Sequence, residues 1–529
     1  MKAAAVFSDN MVLQRERYVR IFGTCTNNEK VITVSVPELL ISVRAIIRKG
    51  RWEALLPPMT ECSKCTLEIA CGAIRKVFRN VAIGEVWLAG GQSNMEFELR
   101  NDKNGVRELV SCGEEDVRYY YTPKCAMPEE LEGAEKNTGW SLPSADNSAA
   151  WSAAGYYFAK ELSRRLGVTV GIIGCNWGGT SASAWMSREY LEQDSRLRPY
   201  VEDYDKAVKG KSRKKMIAEY DEYAAYQEGW EKRVAACYAE KPDIEWHDLL
   251  AECGENRYPG PMGIKNPMRP CGLHETMVSR IAPYTLRGVL WYQGESDDHR
   301  PQTYYALMKA LIENWRRDWR DDKLPFVMVQ LPMFRYKDDP DTKSWALIRE
   351  AQERVFRTVK NTGLAVCLDC GEFNNIHPTD KEPIGHRLYL QAMSEIYSQM
   401  SRSESLPPMY DGFEIRGRCM LIHLANVGKG LGGKDEHCLE GFELAGSDGK
   451  FYPAQARVAL PYIELSCDKV KAPAAARFKW TNYADVGLFG VNGLPLAPLP
   501  HLYRLIFIQE ENNAFSSRYR KYQHRFRLC

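Results

Sequence analysis

The sequence predicts an α/β protein, a parallel sheet wound by helices on both faces with β-rich segments before and after it. Three observations carry that expectation. From about residue 10 to 80 apolar residues recur with period two; from about 81 to 404 short continuous apolar runs alternate with stripes of helical spacing; beyond about 405 alternating strands and turn signals return.

In the first segment Ile32, Val34 and Val36 alternate with Val31, Thr33 and Ser35, and Ile41, Val43 and Ala45 with Ser42 and Arg44. Trp52/Ala54/Leu56 and Leu67/Ile69/Cys71 repeat the pattern with Gly, Pro and Asn between, which predicts a small antiparallel β-sandwich ending near Arg79-Asn80. The following runs, Val86–Ala89, Val168–Ile173, Gly288–Trp291, Phe326–Val329 and Leu364–Leu368, suit strands covered on both faces. Between them lie the stripes Trp151/Ala154/Phe158/Leu162/Leu166, Tyr304/Leu307/Met308/Leu311/Trp315/Trp319 and Ile348/Ala351/Val355, and Ile384/Leu388/Ala392/Ile396 follows the last. Such alternation implies parallel βαβ units, whose ligands bind outside the carboxyl ends of the strands.

Residues from about 195 to 280 break the rhythm with a charged, Tyr-rich helical stretch and an extended piece around Tyr258-Pro259-Gly260-Pro261, read as an insertion over the catalytic face. Its basic run, Lys211 to Lys215, reads as a solvated helix face. Turn signals such as Ser447-Asp448-Gly449 mark the β-rich end, and a tail from 518 to 527 carries five Lys/Arg among aromatics, read as a frayed extension. The expected division is 1–80, 81–404 with the insertion, and 405–529.

Composition narrows the function classes. The chain has 529 residues and a net charge of 71 − 69 = +2, so no global field steers it toward nucleic acid or an anionic membrane. No apolar run approaches the roughly 18–20 residues of a membrane span, and the first apolar stretch is too short for a signal peptide; a soluble, cytoplasmic protein is expected. Its sixteen cysteines lack the spacing of a disulfide scaffold. The pairs Cys62/Cys65 and Cys367/Cys370 have no histidine at finger spacing and read as thiols, so neither metal nor cofactor is expected.

Chemistry concentrates at the ends of the predicted strands. Gly90-Gly91-Gln92-Ser93-Asn94-Met95 places a serine where a strand passes through glycines into a turn, though without the second glycine of the G-x-S-x-G elbow. A serine needs a base, and of the nine histidines His377, in Asn374-Asn375-Ile376-His377-Pro378 after the fifth run, is the one topology brings to the same edge. His247, His274 and His299 lie in or near the insertion, His386 on the last helix, and His423, His437, His501 and His524 in the β-rich end. Oxyanion donors are expected from Gly178 and Gly179 in Asn176-Trp177-Gly178-Gly179-Thr180 and from the amide of Gln293 in Gln293-Gly294-Glu295-Ser296-Asp297.

These blocks, with Trp185, Trp291-Tyr292 and the opening Phe7-Ser8-Asp9-Asn10-Met11-Val12-Leu13-Gln14, resemble the sialate O-acetylesterase family, a branch of the SGNH (GDSL-like) hydrolases. Ala476-Arg477-Phe478-Lys479-Trp480 and Gly493-Leu494-Pro495 resemble the family's close; only the insertion and basic tail fall outside. The resemblance implies an SGNH-hydrolase, flavodoxin-like three-layer core flanked by β-rich regions. It implies removal of acetyl groups from sugar hydroxyls without a metal, with Ser93 as nucleophile, His377 as base and the N–H of Ser93 as a further oxyanion donor. The substrate is then a small-molecule or oligosaccharide acetyl ester; the sugar and the oligomeric state are not readable. An acetylxylan-type esterase and a non-catalytic carbohydrate-binding relative are the alternatives.

Two departures stand out. SGNH enzymes often carry Asp three residues before the histidine, and here that position is Asn374. Orienting His377 is expected to fall to a backbone carbonyl or Asn374, then Asp369, then Glu295. Met277, in a stretch where the family tends to read more like Tyr-Asn-Ala-Met, points to a different substrate pocket.

Overall fold

The computed structural model describes residues 1–26, 30–242, 244–428, 430–433 and 439–503, the last four by backbone alone. The basic tail, His437 and His524 lie outside the described residues. Two compact units form: Met1–Asp339 with Leu347–Met400, and Pro340–Ala346 with the chain from Ser401 onward.

The first unit holds the expected alternation. Strand β1 (Val31–Val36) buries Ile32, Val34 and Val36, and pairs antiparallel with β2 (Ile41–Ile46) and β3 (Cys62–Cys71). β4 (Ile74–Gly91) is 18 residues long; its first half pairs antiparallel with β3, and its second half enters the core as a parallel strand. The boundary expected near residue 80 therefore falls inside one strand. In all, eleven strands join in one mixed sheet among the described residues.

Its core consists of β5 (Val117–Tyr121), β6 (Val170–Asn176), β4, β7 (Gly288–Tyr292), β8 (Phe326–Gln330) and β9 (Thr362–Val366), side by side in that order and all parallel. Five of these were expected and β5 was not. Arg118 interrupts its apolar pattern, yet the guanidinium is 3% exposed, donating to the carbonyls of Asn10, Ser63 and Asn80 and pairing with Asp116. A cation so used reads as surface in the sequence and packs as core.

After β4 the chain crosses to β5, comes back inward to β6 beside β4, and then passes to the other side of β4 with β7. The order reverses at β4, so the crevice at its carboxyl end is the natural ligand position of such a sheet. Helices cover the sheet. α1 (Ala153–Leu166) is capped by Ser152, whose oxygen accepts from Gly155 N–H, and stopped by Gly167 at φ +66°. α2 (Tyr304–Trp319) buries every residue of its expected stripe, so Leu311→Ala is expected to cost roughly 2–5 kcal/mol. α3 (Glu382–Glu395) buries Ile384, Leu388 and Ala392.

The insertion forms helices Arg198–Val208, Arg213–Glu240 and Trp246–Cys253, with Trp230, Cys237, Leu249 and Cys253 in a small core of their own. Its basic run is neutralised locally, Lys211 by Glu219 and Arg213 by Glu129. The second unit is built of antiparallel strands around Met420, Ile422, Phe442, Leu444, Ile463, Leu465 and Phe478. Among the described residues no helix is long and apolar enough to cross a membrane.

Candidate active site

Ser93 sits at the reversal point for a steric reason. β4 ends at Gly91, whose φ is +136° and where an added Cβ would lie 2.1 Å from the carbonyl oxygen of Tyr292 on β7. Only glycine lets the two strands approach so closely while the chain turns. Gln92 N–H donates to the same carbonyl at 3.1 Å, and Ser93 opens the short helical turn Ser93–Glu96. Its own N–H, the first of that turn, has no acceptor among the described residues.

His377 arrives from the loop between β9 and α3, and its Nε2 lies 2.8 Å from Ser93 Oγ. That loop is tied internally: Asn375 Oδ1 accepts from His377 N–H and its Nδ2 donates to Glu372, which also accepts from Thr379. Burial lowers the imidazole pKa below its ordinary 6.5; Lys381 adds to the effect and Glu96 opposes it. This favours the neutral ring, the form that can accept the serine proton.

The expected donors fare differently. Gly178 packs against the nucleophile, where an added Cβ would stand 3.3 Å from Ser93 Cβ. Its N–H, however, already donates to Glu96 Oε2 at 2.7 Å; that carboxylate also pairs with Lys124, whose ammonium lies 5.6 Å from the Trp177 ring centre. Gly179, at φ +72°, has an N–H without an acceptor among the described residues, and an added Cβ there would meet the Tyr258 hydroxyl of the insertion at 2.2 Å. Gln293 departs from expectation. It is fully buried and its amide donates to Asp297 Oδ2 at 2.7 Å, with Thr180 O and Gln92 Oε1 at 3.2 Å, while Tyr304 donates to its side-chain oxygen. Asp297 in turn accepts from Ser181, Ala182 and Tyr200, so Gln293 braces the β6 and β7 loops from behind.

Neither a backbone carbonyl nor any of the three side chains expected to orient His377 meets the imidazole among the described residues. Asn374, at φ +63°, accepts from Lys337 N–H and so faces another loop. Asp369 holds Arg387 through both oxygens, at 2.6 and 2.8 Å. Glu295 accepts from Asn94 at 2.7 Å, its second oxygen buried without a partner, and burial raises its pKa. Among the described residues the imidazole's only hydrogen bond is the one to Ser93. Four of the other histidines point elsewhere: His274 to Asp318, His386 to Glu161, His247 to Asp248, and His299 beside Tyr200.

Three neighbours had no assigned role in the sequence reading: Asn94, Glu96 and Lys381. Asn94 and Glu96 flank Met95 in the serine motif and carried that much signal; Lys381, four residues after His377, carried none. The Cys65 thiol is pushed up to about 12 by burial, and Cys370 Sγ accepts from Arg387. Among the described residues no three His, Cys, Asp or Glu side chains gather as a metal site.

Comparison with known proteins agrees with the resemblance read from the motifs. The model of the family described as carbohydrate esterase, sialic acid-specific acetylesterase matches residues 264–392, the span holding Gln293, Glu295, His377 and Lys381. The sialate O-acetylesterase of Mus musculus is 27% identical over 75% of this chain and 73% of its own length; that of Homo sapiens is 25% identical over 91% and 87%. Among solved structures, a carbohydrate acetylesterase from Xanthomonas citri superposes with a TM-score of 0.75 at 26% identity, covering 94% of this chain and 98% of its own.

Proposed function

We propose that this chain, a relative of the sialate O-acetylesterases, is a carbohydrate O-acetylesterase that works by a serine–histidine mechanism on an SGNH-type core. The observation that carries the reading is the 2.8 Å contact between Ser93 Oγ and His377 Nε2 at the strand-order reversal. Ser93 Oγ attacks the acetyl carbonyl carbon while His377 Nε2 takes its proton. The tetrahedral oxyanion rests on the free N–H groups of Ser93 and Gly179. On collapse the ester C–O bond breaks, His377 returns the proton to the sugar oxygen, and acetyl-Ser93 remains. Water, deprotonated by His377, then attacks the acyl carbon; the bond from that carbon to Ser93 Oγ breaks, His377 returns the proton to Oγ, and acetate leaves.

The sialate substrate is supported by the names of the matched relatives, since the catalytic geometry reads the ester and not the sugar. We assign residues 81–404 as the catalytic region between the flanking segments 1–80 and 405–529, with β4 running unbroken across the first boundary. The test is acetate release from O-acetylated sialic acids and acetylated xylo-oligosaccharides by the wild-type chain and by Ser93→Ala. Turnover of the sialic acids alone, lost in the variant, supports the full reading. Preference for the xylo-oligosaccharides would replace the substrate, and release undiminished in Ser93→Ala would overturn the mechanism.

A further inference from the structure

Lys381, the residue before α3, is fully buried and plays no part in the steps above. An ammonium withdrawn from water is strongly disfavoured unless something compensates it, and burial lowers this one to about 8. Compensation comes from Glu295 and Asp102, more weakly from Glu372, and from the Phe97 and Tyr292 rings at 4.7 and 5.6 Å. Its one side-chain hydrogen bond among the described residues, of 2.6 Å, goes to Asn94 Oδ1.

That bond has a directional consequence. Lysine only donates, so it accepts the carboxamide in one orientation, oxygen toward the ammonium. The Asn94 NH₂ must then point the other way, where it donates to Glu295 Oε1 at 2.7 Å and to the carbonyl of Ile376 at 2.9 Å. Asn94 follows the nucleophile and Ile376 precedes the base. One amide thus ties the two catalytic segments together, in a protein whose histidine has no acid on its ring.

Resting on the esterase reading above, we propose that Lys381 is a positioning residue: by fixing the Asn94 amide it pins the Ser93 turn to the His377 loop, and it sets a positive charge beside the imidazole. Ser93 Oγ meets the imidazole, and the charged groups that act on it are Lys381, which opposes protonation, and Glu96, which favours it. Removing the ammonium must therefore raise the imidazole pKa.

The experiment compares wild type, Lys381→Met and Lys381→Gln, the last keeping an amide donor for Asn94 without the charge. The His377 titration is followed by NMR of the imidazole C–H signals, assigned with His377→Gln, and aryl acetate hydrolysis is measured beside it. Both variants are expected to titrate at higher pH than wild type. Lys381→Met should lose about 10- to 100-fold in kcat with KM within threefold, the scale of a displaced catalytic group, and Lys381→Gln should retain more. A folded Lys381→Met with an unmoved titration and wild-type kcat overturns the proposal. So does loss of cooperative melting in both variants, which would make Lys381 a folding residue. Because the titration needs no turnover, an inactive wild type would sink the esterase reading and leave this one separately decided.

Discussion

Ser93 Oγ and His377 Nε2 stand 2.8 Å apart although 284 positions separate them in the chain. β4 ends at Gly91 and β9 at Val366, and the sheet brings both carboxyl ends to one edge. Ser93→Ala should abolish aryl acetate hydrolysis with melting unchanged, since the lost hydroxyl's one side-chain partner is the imidazole. Hydrolysis at the wild-type rate in that variant refutes the nucleophile assignment.

The acid limb of the pH profile follows from the imidazole. Its pKa lies below 6.5, and only the neutral ring accepts a proton, so kcat/KM should fall on acidification with an apparent pKa under 6.5. Glu96 opposes that depression, so Glu96→Gln should move the limb to still lower pH. A limb at or above 6.5 in the wild type would contradict the buried environment of the ring.

Gln293→Ala should cost stability. Truncation removes one of the two hydrogen bonds to the buried Asp297 Oδ2, leaving Ala182 N–H, and the loss of a hydrogen bond to a charged group costs about 1.5–3 kcal/mol. Chemical denaturation measures this. A fall of about 10² to 10³ in kcat with full stability would instead make the amide an oxyanion donor, as the sequence pattern suggested.

Asp369→Asn should separate folding from catalysis in the same way. The pair with Arg387 is largely enclosed, at 15% and 8% exposure, so neutralising it should cost about 3 kcal/mol. Turnover should stay within about tenfold, because Asp369 is engaged by the guanidinium and not by the imidazole. A collapse of about 10³ at wild-type stability would identify Asp369 as the acid behind His377.

Tyr258 is 52% exposed while its hydroxyl lies over Gly179, the chain neighbour of the Gly178 that packs on Ser93. An aromatic face at that position suits packing against a sugar ring, so Tyr258→Ala should raise KM for an acetylated sugar about three- to tenfold and leave aryl acetate hydrolysis unchanged. Equal effects on both substrates would mean that the insertion supports the glycine loop and does not read the sugar.

What the sequence by itself determined is local or periodic. Alternation marked the buried faces of β1 and β3, the 3.6-residue stripe marked the whole core face of α2, and glycines before Ser93 and the loop of His377 after a strand marked where those two residues would emerge. Each signal depends on neighbours within one or two turns of chain. The tertiary structure decided whatever depends on a partner arriving from elsewhere. Arg118 is core only because the carbonyls of Asn10, Ser63 and Asn80 meet it, and Gln293 faces Asp297 because Ser181, Ala182 and Tyr200 hold that carboxylate in place. Asn374 and Asp369, plausible by spacing, are drawn to Lys337 and Arg387. Lys381 turns toward Asn94, 287 positions away, because a buried ammonium must find an acceptor and packing leaves the Asn94 amide oxygen facing it.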